Sequence, residues 1–162
     1  PLFSYVIYPL ISKVFPLTPL RKITIGMFLT AASFLICAWI ETRIGAGERP
    51  NIVWQFVTYV VMTAAEIFIS ITSLEFAYTQ APKKMKSFVM SAYLLSISLG
   101  NAFTWAVNYF IENPDGTSKL AGADYYLFFA GLMLATAVVF IFVAMRYQEK
   151  TYIQDEMELA EA

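Results

Sequence analysis

No histidine occurs among these 162 residues, and there is a single cysteine, Cys37. The first absence removes the commonest metal ligand and the usual switch near neutral pH, so any proton chemistry falls to carboxylates. The second excludes an internal disulfide framework. Within its apolar run Cys37 reads as a small packed side chain. Charge is scarce too: 14% of residues, against roughly 25% in soluble domains, while apolar residues reach 59%. A net charge of −1 with no basic tract leaves no footprint for nucleic acid. Without histidine, an activated cysteine or a clustered ligand pair, the sequence offers no enzyme site and no metal site. Nor does a charged leader with a small-residue cleavage site open the chain. It starts at Pro1, is apolar by Leu2, and is expected to be the C-terminal piece of a longer protein.

What is present is long apolar runs parted by short charged patches, the pattern of an all-α, multi-pass membrane protein. Four runs reach the roughly 20 residues that a bilayer core of about 30 Å requires. The spans are expected at 20–41, 52–80, 85–111 and 124–146. Residues 1–15 read as the end of a further, truncated span, closed by Pro16 and Pro19. Residues 147–162 form an acidic tail carrying Asp155, Glu156, Glu158 and Glu161. The connections sort by charge. Lys13, Arg21, Lys22, Lys83, Lys84, Lys86, Arg146 and Lys150 fall on one side; Arg43, Arg49 and Lys119 fall on the other. The positive-inside rule puts the richer side, and the C-terminus, in the cytoplasm of a cell-membrane protein. Trp39, Trp54 and Trp105 then belong to an outer aromatic belt.

One residue breaks the pattern. Glu66 sits midway along the second span, where insertion scales charge an acidic side chain roughly 2.5–3.5 kcal/mol. A group that expensive faces a bundle interior or a wet cavity and is a functional candidate by default. It also has a purely structural reading, as the partner of a helix outside these residues. At 3.6 residues per turn, Thr63, Glu66, Ser70 and Ser73 form one polar stripe. Glu75 comes about half a turn round from Glu66 and roughly 13 Å along the axis; it reads as a gating or structural polar residue. Ser70 and Ser73 also suit hydrogen bonds to the preceding turn. In the third span Ile97, Gly100, Asn101, Thr104 and Asn108 form a second stripe, ordinary helix–helix glue or cavity lining. Tyr93 on the same span either lines a pocket or packs on a neighbour. Gly131 and Ala135 make a small-xxx-small packing pair in the last span.

These residues carry a resemblance. TAAEIFISITSLEFAYTQAPKKMKS followed by SAYLLSISLGNAFTWAVN resembles the tenth and eleventh helices of the proton-dependent oligopeptide transporter family of the major facilitator superfamily. PLRKITIGMFLTAASFLICAWIE resembles the ninth. The most specific element is Glu66, Ser70 four residues on, then Leu74-Glu75-Phe76-x-Tyr78-x-Gln80-Ala81-Pro82 and a basic turn. The resemblance implies the C-terminal part of a major facilitator bundle, from the end of helix eight through helix twelve. It also implies a substrate cavity between two six-helix halves. The family's glutamate at the Glu66 position engages the peptide amino terminus. Glu66, Ser70, Ser73, Tyr93 and Asn101 are therefore the candidate substrate-binding residues. Tyr93 stands where the family commonly has tryptophan, and Ser73 where it often has glycine; both bear on fine substrate preference.

The resulting expectation is a proton-coupled symporter of di- or tripeptides, with the proton as coupling ion and no other cofactor. Its partners are the peptide, the proton, the bilayer and the N-terminal half of the same chain. Two other readings stay open: a related carrier of nitrate or amino-acid conjugates, and a non-transporting structural or sensor subunit.

Overall fold

A computed structural model describes residues 9, 13, 16–114 and 117–148. The expected truncated span over 1–15 and the tail over 147–162 lie almost wholly outside them. Among the described residues four helical segments are long and apolar enough to cross a membrane: Pro19–Gly45, Val53–Thr79, Lys83–Ile111 and Ala123–Arg146. We label the helices α1 (Pro19–Gly45), α2 (Val53–Glu66), α3 (Thr72–Thr79), α4 (Lys86–Ile111) and α5 (Ala123–Arg146). Between α2 and α3 lies a π-helical turn, Ile67–Ile71, so these two helices and the turn make one continuous rod.

Local chemistry sets the ends. Thr18 caps α1 by accepting the Arg21 N–H at 3.4 Å, and Pro19 follows at the first helical position. Beyond its last turn Gly47 adopts φ +80°, a left-handed conformation that suits glycine, and the chain reverses. An exposed Arg43–Glu48 ion pair of 2.7 Å spans that reversal. Asn51 Oδ1 accepts the Val53 N–H at 3.0 Å to start α2. At the opposite end Pro82 stops the helix, and Lys83–Met85 form one 3-10 turn leading into α4.

α1 is the centre of the bundle. It packs on α5 along one side, and on α2, the π turn and α3 along the other. Its buried residues are Ile23, Gly26, Ala31, Ser33 and Ala38. Ala65, Phe68 and Thr72 face it from the second span, while Ala130 and Ala137 are the buried residues of α5. Lipid is as apolar as leucine, so close backbone approach through small residues, rather than hydrophobic expulsion, holds such helices together. On α5 the contact uses Ala130 and Ala137, two turns apart, at 1% and 0% exposure. The expected Gly131–Ala135 pair lies on another face: both are exposed, and nothing lies within 4 Å of where a Gly131 Cβ would stand. Small residues were the right signal, but the face was one position off.

The tightest approach is at Gly26. A Cβ added there would stand 2.6 Å from Ile69 Cγ1, 3.0 Å from the Ala65 carbonyl oxygen and 3.0 Å from Phe68 Cβ. All three belong to the π turn or to the helix just before it. α4 is the opposite case. It has no buried residue, and it meets α3 and the 3-10 turn. Trp39 and Trp54 meet edge-on at 4.9 Å, with Arg43 5.2 Å over Trp39. Trp105 stacks on Tyr109 at 5.6 Å near the far end of α4. All three tryptophans thus sit toward the same end of the bundle.

These contacts predict unequal effects of adding one methyl group. Gly26→Ala should cost about 1–3 kcal/mol by overpacking. Gly131→Ala should instead gain about 0.5–1 kcal/mol, because it only removes glycine's backbone freedom. Thermal unfolding of the complete, detergent-solubilised protein separates the two. Equal midpoints would remove the close approach from the account.

Candidate functional site

Glu66 is the central residue of the span Val53–Thr79, with thirteen residues on either side. It is also the last residue before the π turn. Its neighbours Ala65 (0% exposed) and Phe68 (3% exposed) are buried, and that face of the span lies on α1 around Gly26. Glu66 is therefore turned away from α1. Its side chain is exposed, and it forms no hydrogen bond or ion pair among the described residues. A carboxylate at mid-span cannot rest against hydrocarbon at low cost, so this face belongs to a wet cavity or a polar partner.

The π turn leaves the buried stripe in register. Ala65 before it and Thr72 after it, seven residues or about two α-helical turns apart, are both buried, with Phe68 between them. Glu75, nine residues beyond Glu66, is exposed.

Ser73 is engaged by the backbone of the turn and by α4. Its hydroxyl donates to the Ile69 carbonyl at 2.6 Å and reaches the Ser70 carbonyl at 3.3 Å. Tyr93 arrives from α4. Its phenol oxygen lies 3.4 Å from Ser73 Oγ and donates to the Ser70 carbonyl at 3.4 Å. The structure thus brings Ser70, Ser73 and Tyr93 together where α4 crosses the end of the π turn. Asn101 is two turns further along α4, exposed, and is not joined to this cluster. Glu75 is exposed in the first turn of α3 and also stands apart. Tyr78, on the same helix, carries the Lys86 ammonium 4.0 Å over its ring.

Cavities lie elsewhere as well. About 560 Å³ opens at one end of the bundle among Glu41, Asn108, Glu112, Ser118 and Tyr125. About 650 Å³ opens at the other among Leu17, Arg21, Ile25, Ile141 and Met145. Neither is lined by Glu66. Among the described residues no group of three or more Cys, Asp or Glu side chains is arranged to hold a metal ion.

Sequence reasoning missed two features of the site, the π turn and the role of Gly26. Nothing in IFISI announces a π turn. The glycine was a usable signal, since one Gly inside a helical run asks for a packing reason.

Comparison with known proteins gives a consistent picture. The family model described as PTR2, POT family, matches residues 1–127. The chain is 36% identical to the peptide transporter PTR2 of Saccharomyces cerevisiae, over 82% of this chain and 24% of that protein. It is similar to the crystal structure of an auto-inhibited POT family peptide transporter, with a TM-score of 0.85 and 30% identity over 95% of this chain and 32% of the other. The POT family transporter PepTSo gives 0.82 and 33%, over 94% and 32%. The chain therefore spans about a quarter of the yeast relative's length and about a third of each solved chain. The all-α, membrane-spanning fold expected from the sequence is the one that those structures share.

If the face of Glu66 is wet, a cysteine there should be reachable from water. In the complete protein with Cys37 replaced by alanine, Glu66→Cys should react with a small charged thiol reagent, and Phe68→Cys should not. Equal protection of both would place Glu66 in a dry helix contact.

Proposed function

The chain belongs to the POT family, and on that premise we propose that it works as part of a proton-coupled symporter of di- and tripeptides. The observation that carries this reading is Glu66: a carboxylate at the centre of a span, exposed, turned away from α1, and unpaired among the described residues. A peptide brings one permanent feature whatever its side chains, an ammonium group. An ionised carboxylate meets that group with a charge-assisted hydrogen bond. The same carboxylate is the group proposed to exchange the coupling proton for that ammonium group. Proton and peptide are then linked through one group, and by reciprocity each shifts the binding of the other. The proton is the coupling ion, and no other cofactor is required.

Around this carboxylate the exposed faces of Ser70 and Asn101 and the ring of Tyr93 line the cavity; Glu75 acts further along, toward the Lys83 end. Membrane-spanning helices and family membership make this a multi-pass membrane protein. The excess of Lys and Arg at the Lys83 end supports a cytoplasmic C-terminus. The remaining cavity wall comes from other parts of the transporter, which rock against this one in alternating access. The nitrate reading is disfavoured by the same carboxylate, which repels an anion unless protonated.

The test is proton-driven uptake of labelled dialanine into liposomes holding the complete transporter. Glu66→Gln should abolish gradient-driven uptake at equal incorporation. A hydrogen bond to a charged group contributes about 1.5–3 kcal/mol, so direct binding of dialanine to the purified variant should weaken about tenfold or more. Wild-type protein that neither carries dialanine nor binds competing peptides would remove the peptide assignment. Unchanged uptake by the variant would make Glu66 structural.

A further inference from the structure

We infer that the acidic segment 149–162 docks on the basic turn Lys83–Met85, so that the chain leaving α5 braces the turn that joins α3 to α4. Nothing in this depends on Glu66 or on what is carried.

Tyr147 places the start of the segment. Its phenol donates to Gln80 Oε1 at 3.3 Å, and its ring meets Phe76 edge-on at 5.6 Å. The chain leaving α5 is thereby drawn beside the end of α3, and Gln80 is three residues short of Lys83. Three residues span at most about 11 Å. The eight from Tyr147 to Asp155 cover about 12 Å as helix and up to about 28 Å when extended. In either form the carboxylates of the segment reach the lysines.

The turn offers what such a segment needs. Lys83 and Lys84 are exposed, and neither forms an ion pair among the described residues. Lys86 differs, since its ammonium lies over the Tyr78 ring at 4.0 Å. Beside the lysines Met85 is 50% exposed. The segment is complementary in both respects. It carries Glu149, Asp155, Glu156, Glu158 and Glu161 against the single Lys150. At helical spacing Asp155, Glu158 and Glu161 follow one another on one side, and Ile153, Met157 and Ala160 on another. Carboxylates on Lys83 and Lys84, with the apolar side on Met85, satisfy both.

A lipid surface is the competing partner for exposed lysines at the end of a span. The segment itself cannot use that surface, because its excess of carboxylates is repelled by anionic headgroups. Exposed ion pairs are individually weak and are screened by salt. The brace is therefore several pairs acting together, and it is released as ionic strength rises. It gives α4, which buries no residue, a further tie at the end where it meets α3 and the 3-10 turn.

The test uses the complete protein in neutral detergent, free of cysteine except for Met85→Cys, and an uncharged maleimide that reports how far position 85 is covered. Ending the chain after Gln148 should speed labelling about fivefold, the protection that a few exposed ion pairs give together. Asp155→Asn combined with Glu156→Gln, Glu158→Gln and Glu161→Gln should do the same. Salt at about 1 M should speed labelling only where the carboxylates are intact. In the protein without substitutions a carbodiimide should join Lys83 or Lys84 to a carboxylate of 149–162 within one chain, read as a linked peptide pair.

Equal labelling with and without the segment overturns the inference. So does protection that appears only with added phosphatidylglycerol and outlasts the truncation, which would assign the lysines to lipid. A linked pair found only in dimers overturns it too, by assigning the segment to a second copy. Apart from the reporter at 85, no variant touches a membrane-spanning helix. Dialanine uptake is not among the readings, so loss of the peptide assignment would leave this one standing.

Discussion

The contact on which the rest depends is the one at Gly26. Helices in lipid gain little from hiding leucines and much from bringing backbones close. Gly26 allows the second span to lie against α1 so closely that the place of its missing Cβ is 2.6 Å from Ile69 Cγ1. That proximity fixes which residues of the span face inward: Ala65, Phe68 and Thr72. With those three committed to α1, Glu66 must look elsewhere. The orientation of the carboxylate is therefore decided by its small and apolar neighbours, before its own charge enters.

Charge then decides what the outward face can be. One carboxylate at mid-span already costs several kcal/mol if it meets hydrocarbon. Such a face persists only where water, a cation or a proton meets it. A peptide carrier supplies all three in turn. A helix contact between packed neighbours would have to supply a permanent cationic partner, and none is found among the described residues. The unpaired mid-span carboxylate thus fits a wet face better than a dry helix contact.

Much of this was legible in the sequence, because bilayer thickness and apolar run length are tied together by the helical rise. The spans, the basic turn after Pro82 and the singular status of Glu66 follow from that relation and from the cost of burying charge. The family resemblance in LEFAYTQAP agrees with the family match over residues 1–127. What escaped was local: no residue type in IFISI announces a π turn, and the close approach at Gly26 shows only once the two spans lie side by side. Gly131 and Ala135 failed differently: several small residues on α5 competed for the contact, and Ala130 with Ala137 met α1.

The bundle is held by two unlike kinds of contact, and they divide it. Around α1 the contacts are dry and close, built from Gly26, Ala31, Ala38, Ala65, Ala130 and Ala137. Around α4 they are polar and longer, the Tyr93 phenol at 3.4 Å and the Lys86–Tyr78 contact at 4.0 Å, with no buried residue at all. Hydroxyl bonds between membrane helices average only about 0.6 kcal/mol, so α4 is tied to this group of helices far less firmly than α5. Yet those weak ties fall at the end of the π turn, beside Ser70 and nine residues or fewer from Glu66 and Glu75. The firm scaffold carries Glu66, and the lightly bonded helix carries Tyr93 and Asn101. The candidate residues are therefore divided between the most closely and the most loosely packed elements of the described bundle.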